Sequence, residues 1–275
     1  MLRALEIISC WFVAGAVTCA AAQISPPVAN SSNTVPDLAT IVSRMQQAEQ
    51  ESRSHTVPYN VTRQYQLSRG DARPSSEVLA KVSFTPPGQV DWVIERTSGE
   101  GRVEKIVRGI LEHEAKLAAE AARDGRVRNA VNEQNYNFAF VGRQIVDGRP
   151  CFVLQITPKH KQEYLVDGRA YVDSDRYQIR RIDGDLSKSP SWWLKSVHVT
   201  MSFGEVSGLW LQTATRAVAD VRIVGEHTLT SRALNYEVGE SVAANRTPAP
   251  VATSVRKNNH RRPSVMLGAG VLGPR

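Results

Sequence analysis

The sequence predicts a mainly β (α+β) protein: one large antiparallel sheet curled around about two helices. Three observations predict it. From Tyr59 to Val238 apolar residues recur at period two in run after run. Short turns such as Asp147-Gly148 and Asp167-Gly168 join the runs. Only one helical stretch falls between strands, where a parallel sheet would need a crossover helix after each strand.

Composition agrees with a globular body. The chain has 275 residues, 34 Lys plus Arg against 27 Asp plus Glu, 41% hydrophobic and 22% charged residues, which excludes a disordered polymer and a helical membrane bundle. A body of this size buries roughly 70–75% of its unfolded surface and needs no disulfide or metal to fold.

Residues 1–22 read as a secretory signal peptide. Arg3 precedes an apolar run from Ile7 to Ala22 that is short for a membrane span, and small residues at Ala20 and Ala22 suit cleavage before Gln23. An uncleaved anchor is the alternative. Lipidation at Cys19 would want a small residue directly before it, and Thr18 stands there. Cleavage removes Cys10 and Cys19, leaving Cys151 with no internal disulfide partner and no Cys-x-x-Cys motif. Within Cys151-Phe152-Val153-Leu154, that cysteine reads as a small strand residue.

Residues 23–36 form a polar, proline-bearing linker before a domain spanning 37–239. Leu38, Ile41, Val42, Met45 and Ala48 then recur at helical spacing, an amphipathic helix with one face to bury. Tyr59, Val61, Tyr65 and Leu67 begin the strands. Val78, Ala80, Val82 and Phe84 mark a second, and the Pro86-Pro87-Gly88 turn leads to a third with Val90, Trp92 and Ile94. A second helix over 103–124 stops near Gly125. Strands follow at Tyr136–Val146, Cys151–Thr157, Glu163–Val166, Arg169–Val172, Tyr177–Asp183, Lys195–Phe203, Leu209–Ile223 and Thr228–Val238, ten or eleven in all. After Glu240 no acidic residue occurs, while Arg246, Arg256, Lys257, Arg261, Arg262 and Arg275 do, so the net charge of +7 belongs to a tail over 240–275 that reads as disordered. On charge alone it could meet anionic lipid, but a solubilising extension is simpler, and no nucleic-acid partner is expected.

Motifs for chemistry are weak. Gly268-Ala269-Gly270-Val271-Leu272-Gly273 has dinucleotide-binding spacing but two residues after it and no helix. His113-Glu114 begins like a zinc helix, yet Leu117 stands where the second histidine belongs. Asp173-Ser174-Asp175 lacks the rest of a calcium loop and reads as a hairpin turn. Six scattered histidines and no Gly-x-Ser-x-Gly elbow argue against an enzyme, and neither a cofactor nor a metal is expected.

Two short helices cannot seal a sheet of ten strands, so curling leaves an apolar cleft. Phe84, Trp92, Phe138, Phe140, Phe152 and Met201 are candidates to line it and to hold an acyl chain; the same residues would equally fill a closed core. Arg63 falls in the apolar register between Val61 and Tyr65. It either snorkels to water at the sheet rim or sits at the cavity mouth, holding a phosphate, carboxylate or ester carbonyl of the cargo.

The residues resemble the LolA/LolB-like group of periplasmic outer-membrane lipoprotein-sorting carriers over about 38–238. The likeness rests on the secretory signal, the leading helix, Phe84-Thr85-Pro86-Pro87-Gly88-Gln89-Val90-Asp91-Trp92 and Gly148-Arg149-Pro150-Cys151-Phe152-Val153-Leu154. Thr157-Pro158-Lys159, Gly168-Arg169-Ala170-Tyr171-Val172-Asp173 and Val206-Ser207-Gly208-Leu209-Trp210-Leu211 continue it. This resemblance implies an unclosed half-barrel, helices over its concave face, and a hydrophobic cavity for lipid or lipoprotein acyl chains. It implies no catalytic residue. The missing lipidation cysteine, the long second helix and the basic tail depart from the family's pattern.

The expected function is an exported carrier, periplasmic or secreted, that shields acyl chains and makes transient contact with a membrane or membrane protein. Its rival is a regulatory module of the same fold that senses lipid or lipoprotein. A lipid-ester hydrolase is more remote, lacking a nucleophile and base. The mature chain should begin at Gln23, which intact-mass measurement of the exported protein checks; a retained Met1 or a lipid on Cys19 contradicts it.

Overall fold

The computed structural model describes residues 35–239 apart from Asp71, Pro190, Trp193 and Val224. The signal peptide, the linker as far as residue 34 and the basic tail lie outside the described residues. The chain divides after Asp37, and every helix and strand belongs to the unit that begins at Leu38. Among the described residues no helix is long and apolar enough to cross a membrane.

Helix α1 spans Leu38–Ser54 and α2 spans Gly101–Asp124. The strands are β1 (Tyr59–Arg69), β2 (Ser76–Thr85), β3 (Gln89–Ser98), β4 (Tyr136–Val146), β5 (Arg149–Pro158), β6 (Val166–Asp173), β7 (Ile179–Leu186), β8 (Leu194–Val206), β9 (Leu209–Val221) and β10 (Gly225–Val238). They form a single antiparallel sheet in the order β3-β2-β1-β10-β9-β8-β7-β6-β5-β4. Its end strands β3 and β4 do not pair with each other, so it stays an open half-barrel. The chain crosses from one outer edge to the other through α2, and that explains why one helix interrupts the strands.

The helices divide the concave face between them. Ile41, Val42 and Met45 of α1 pack against Phe152, Leu154 and Ile156 of β5 and against Ile182, Val197 and Val199 beyond. Val103, Val107 and Leu111 of α2 pack on Val61, Tyr65, Val78, Ala80 and Val82. Each fully buried side chain of this size contributes about 1.5–3 kcal/mol. The helices are therefore held chiefly by these stripes. At its end α2 stops as its sequence predicts: Gly125 adopts φ 69° and its N–H donates to the Ala121 carbonyl at 2.9 Å.

Ten strands form, and the reading of Glu163–Val166 and Arg169–Val172 as separate strands needs correction. Asp167-Gly168 is not a turn; both residues lie inside β6, where Gly168 faces Gly184 of β7. A Cβ on Gly168 would stand 2.2 Å from the Asp183 carbonyl oxygen, and one on Gly184 would stand 2.3 Å from that of Asp167. The glycine is there because two backbones approach closely. Gly88 serves the same end in the β2–β3 turn, since its Cβ would meet the Ala118 carbonyl of α2 at 2.3 Å. Helix α2 also exceeds the length expected for a cover, about 36 Å at 1.5 Å per residue.

Gly168→Ala should therefore destabilise the fold by about 1–3 kcal/mol through overpacking, whereas Gly101→Ala, with open space around its Cβ, should leave the melting temperature unchanged or slightly raised. Thermal denaturation of the two variants checks the contrast.

Candidate ligand cavity

A cavity of about 310 Å³ lies between the second half of α1 and strands β7 to β9. Its floor is apolar, made by Met45, Ile179, Ile182, Met201, Phe203 and Leu211. Its rim is polar, with Glu49, Ser52 and Arg53 from α1, Asn129 from the segment after α2, and Gln178 before β7. Arg53 and Asn129 are exposed and mark the side open to water. Arg53 and Glu49 form an i,i+4 ion pair, so the rim's cation is already engaged.

The walls are held by hydrogen bonds at the ends of their strands. Gln178 Nε2 donates to the Ala48 carbonyl at 2.9 Å and to Ser52 Oγ at 3.2 Å, tying α1 to the β6–β7 turn. The Trp210 indole donates to the Ile179 carbonyl at 2.9 Å across the cavity's edge, and the Arg180 guanidinium stacks 5.5 Å above its ring. Arg180 in turn pairs at 3.2 Å with Asp173, which is 1% exposed and accepts the backbone N–H groups of Asp175 and Arg176. Asp173-Ser174-Asp175 is thus a hairpin turn whose inward carboxylate is satisfied by protein donors. Among the described residues no group of three or more metal-ligating side chains is close enough to hold an ion.

Of the sequence candidates, Met201 alone lines this cavity. Phe138 and Phe152 belong to the packed cluster under α1, where Phe152 is 2% exposed. Phe140 is 40% exposed and meets Phe152 edge-on, with ring centroids 6.5 Å apart. Phe84 stacks on Tyr59 at 5.3 Å, and Trp92 packs into the α2 cluster beneath the Arg108 guanidinium. Alternation placed these rings on the right strands but could not say which helix would cover each. Met45, Ile179, Ile182 and Phe203 were missed as lining residues. Phe203 shares the Val197-Val199-Met201 face, and that register was a usable signal.

Arg63 lies neither at the rim of the sheet nor in the cavity. Its guanidinium sits under α2 and donates to Glu114 Oε2 at 2.7 Å. Its side chain is 15% exposed, that of Glu114 39%. Ala80 on β2 and Ala233 on β10 pair with Arg63 in register, so small residues on both sides leave room for it. Burial acts to lower its pKa, but Glu114 and the Tyr65 hydroxyl beside it outweigh burial and hold the guanidinium above its ordinary value. Burial likewise pushes the nearby Tyr236 hydroxyl up to about 12. Tyr236 donates to the Gln212 carbonyl at 2.6 Å, which links the α2 cluster to the cavity's β9 wall. Cys151 is fully buried, and burial together with the Asp173 carboxylate pushes its thiol up to about 11. It has no nucleophile's environment.

No protein-family model matches the chain, and no curated protein matches it in sequence. Solved structures similar to it include a DUF1329 family protein from Desulfovibrio piger, at 15% identity and TM-score 0.39, covering 75% of this chain and 95% of that one. A LolA superfamily protein from Nitrosomonas europaea matches at 9% identity and TM-score 0.36, covering 75% and 95%. A domain named for outer membrane lipoprotein sorting, from Vibrio parahaemolyticus, matches at 11% identity and TM-score 0.37, covering 72% and 92%. The likeness is one of fold, and the reading of the site rests on this chain's own geometry.

Breaking the Arg63–Glu114 pair from either side should have unequal costs. Glu114→Gln leaves a guanidinium buried with a weaker partner and should destabilise by about 1–3 kcal/mol. Arg63→Leu leaves a half-exposed carboxylate that water can reach and adds an apolar side chain to the α2 cluster, so its cost should be smaller. Denaturant unfolding of both variants measures the difference, and equal losses would contradict the assignment of Arg63 as the more deeply buried partner.

Proposed function

We propose that the chain is an exported carrier that takes an acyl chain of a lipid or lipoprotein into the cavity beneath α1. One observation carries the reading: an apolar floor closed by Met201, Phe203 and Ile182 opens through a polar rim, the arrangement that an amphiphile with one apolar arm and one wet head requires. Each methylene moved from water into such a site contributes about 0.8 kcal/mol. The chemistry asked of the protein is exclusion of water, and no proton or group transfer is involved.

Size sets what can enter. At about 310 Å³ the cavity stands at the lower end of ordinary ligand sites, so it suits one acyl arm in part and not several. A larger cargo requires a wall to give way. The second half of α1 is the weaker wall: Gln178 holds it through two part-buried hydrogen bonds, while its buried apolar residues Ile41, Val42 and Met45 all fall in the first half. Helix α2 is anchored by the Arg63–Glu114 pair and by three fully buried residues, Val103, Val107 and Leu111.

Delipidated full-length protein should recover lipid from a membrane extract, identified by mass spectrometry after repurification, and should bind a fluorescent fatty acid. Met201→Trp extends a ring into the floor and displaces about two methylenes, a loss of about 1.6 kcal/mol or roughly fifteenfold in affinity. An unchanged melting temperature shows that the variant is folded. A parent that recovers no lipid, or a Met201→Trp variant that binds as tightly as the parent, overturns the proposal.

A further inference from the structure

The two most exposed large apolar side chains among the described residues stand side by side at one end of the sheet. Trp192 is 82% exposed in the β7–β8 loop, and Ile223 is 94% exposed in the β9–β10 loop. The loops are joined, because Arg222 Nε donates to the Trp192 carbonyl at 2.8 Å, and the strands that emerge from them pair as Leu194 with Val221. Neither side chain has a packing role in the fold that would explain a tryptophan and an isoleucine held in water.

The charge at this end is one-sided. Loops 70–75, 159–165, 187–193 and 222–224 all close strands here, and their sequences hold five basic residues (Arg73, Lys159, Lys161, Lys188 and Arg222) against two acidic ones, Asp71 and Glu163. Glu163 is already engaged by Lys188 at 2.9 Å. The turns at the other end, 86–88, 147–148, 174–178 and 207–208, hold Arg176 against Asp147 and Asp175. A basic collar around two protruding apolar side chains is complementary to a surface that is anionic outside and apolar just beneath. Tryptophan is the side chain best suited to that boundary, and lysine and arginine are drawn to it by its negative potential.

We propose that this end of the sheet docks on an anionic lipid bilayer, with Trp192 and Ile223 entering the boundary between headgroups and acyl chains. Arg222, Lys161, Lys188 and Arg73 then face the headgroup phosphates. Docking is separate from the cavity: the floor residues Phe203 and Leu211 lie near the β8–β9 turn, and β8 alone runs about 40 Å from its loop to that turn. The two proposals can therefore fail independently.

Co-sedimentation of the full chain with vesicles tests it. The protein should partition onto phosphatidylglycerol–phosphatidylethanolamine vesicles, weakly onto phosphatidylcholine, and less at high salt as screening removes the attraction. A Trp192→Ser/Ile223→Ser double variant should lose about tenfold in partitioning, since two apolar side chains no longer leave water. Ile145→Ser removes a side chain that is 71% exposed at the opposite end of the sheet and should change nothing. The double variant alters only exposed side chains, and its thermal melt should match the parent's. Failure of the parent to bind any vesicle, or equal binding to phosphatidylcholine, overturns the proposal. So does a double variant that binds as the parent does, which would assign the attraction to the basic residues after Glu240.

Discussion

An open sheet of ten strands presents one apolar face, and only two helices are available to cover it. Everything else in the molecule follows from how that coverage is shared. Helix α1 lies over the β4–β8 side and α2 over β1–β3 with β10, each sealing its own cluster through three fully buried residues. Between the two covered zones the face is covered by neither stripe, and the cavity lies there, under the second half of α1. The cavity is thus a consequence of the ratio of helix to sheet. Closing it would require larger residues than Met201 or Ile182, or a third cover.

The position of α2 adds a second constraint. A guanidinium in the inward register of β1 cannot be left unpaired in an apolar cluster, and Glu114 meets it from the helix above. That pairing fixes the rotation of α2 as well as its height. On one face Val103, Val107 and Leu111 point at the sheet, and on the turn beyond them Glu114 reaches Arg63. The bare backbone of Gly88 lets the β2–β3 turn touch the helix at Ala118. A buried ion pair of this kind adds little net stability over an apolar pair, but it penalises any docking of α2 that leaves the arginine unmatched.

Much of this was legible in the sequence because the underlying signals are local. Period-two alternation located the strands, the apolar stripe of Ile41, Val42 and Met45 located α1, and Gly125 located the end of α2. Arg63 was recognised as anomalous from its register alone. Its partner was not, because Glu114 lies 51 residues away on a helix whose rotation the strand pattern does not specify. Asp167-Gly168 misled for a different reason. Glycine serves turns and close backbone approach equally well, and only the pairing with Gly184 separates the two. The cavity's floor was the least legible part. A residue such as Ile182 or Phe203 is apolar whether a neighbour's side chain or empty space lies above it, and that is decided by the helix, not by the strand that bears it.

The rim shows how little polar chemistry the site retains for recognition. Arg53 is matched by Glu49, Gln178 is committed to Ala48 and Ser52, and the Trp210 indole is committed to Ile179. These groups fasten the cavity's walls together, so a ligand that captured one of them would do so at the cost of an existing hydrogen bond, an exchange of roughly equal terms. Selectivity in such a site comes from apolar length and cross-section far more than from a headgroup. A binding site of that character discriminates poorly between headgroups and well between chains that fit the floor and chains that do not. Delivery of the right cargo to it then depends on where the protein stands, which makes the distribution of charge and exposed apolar residues on the rest of the surface part of the site's specificity.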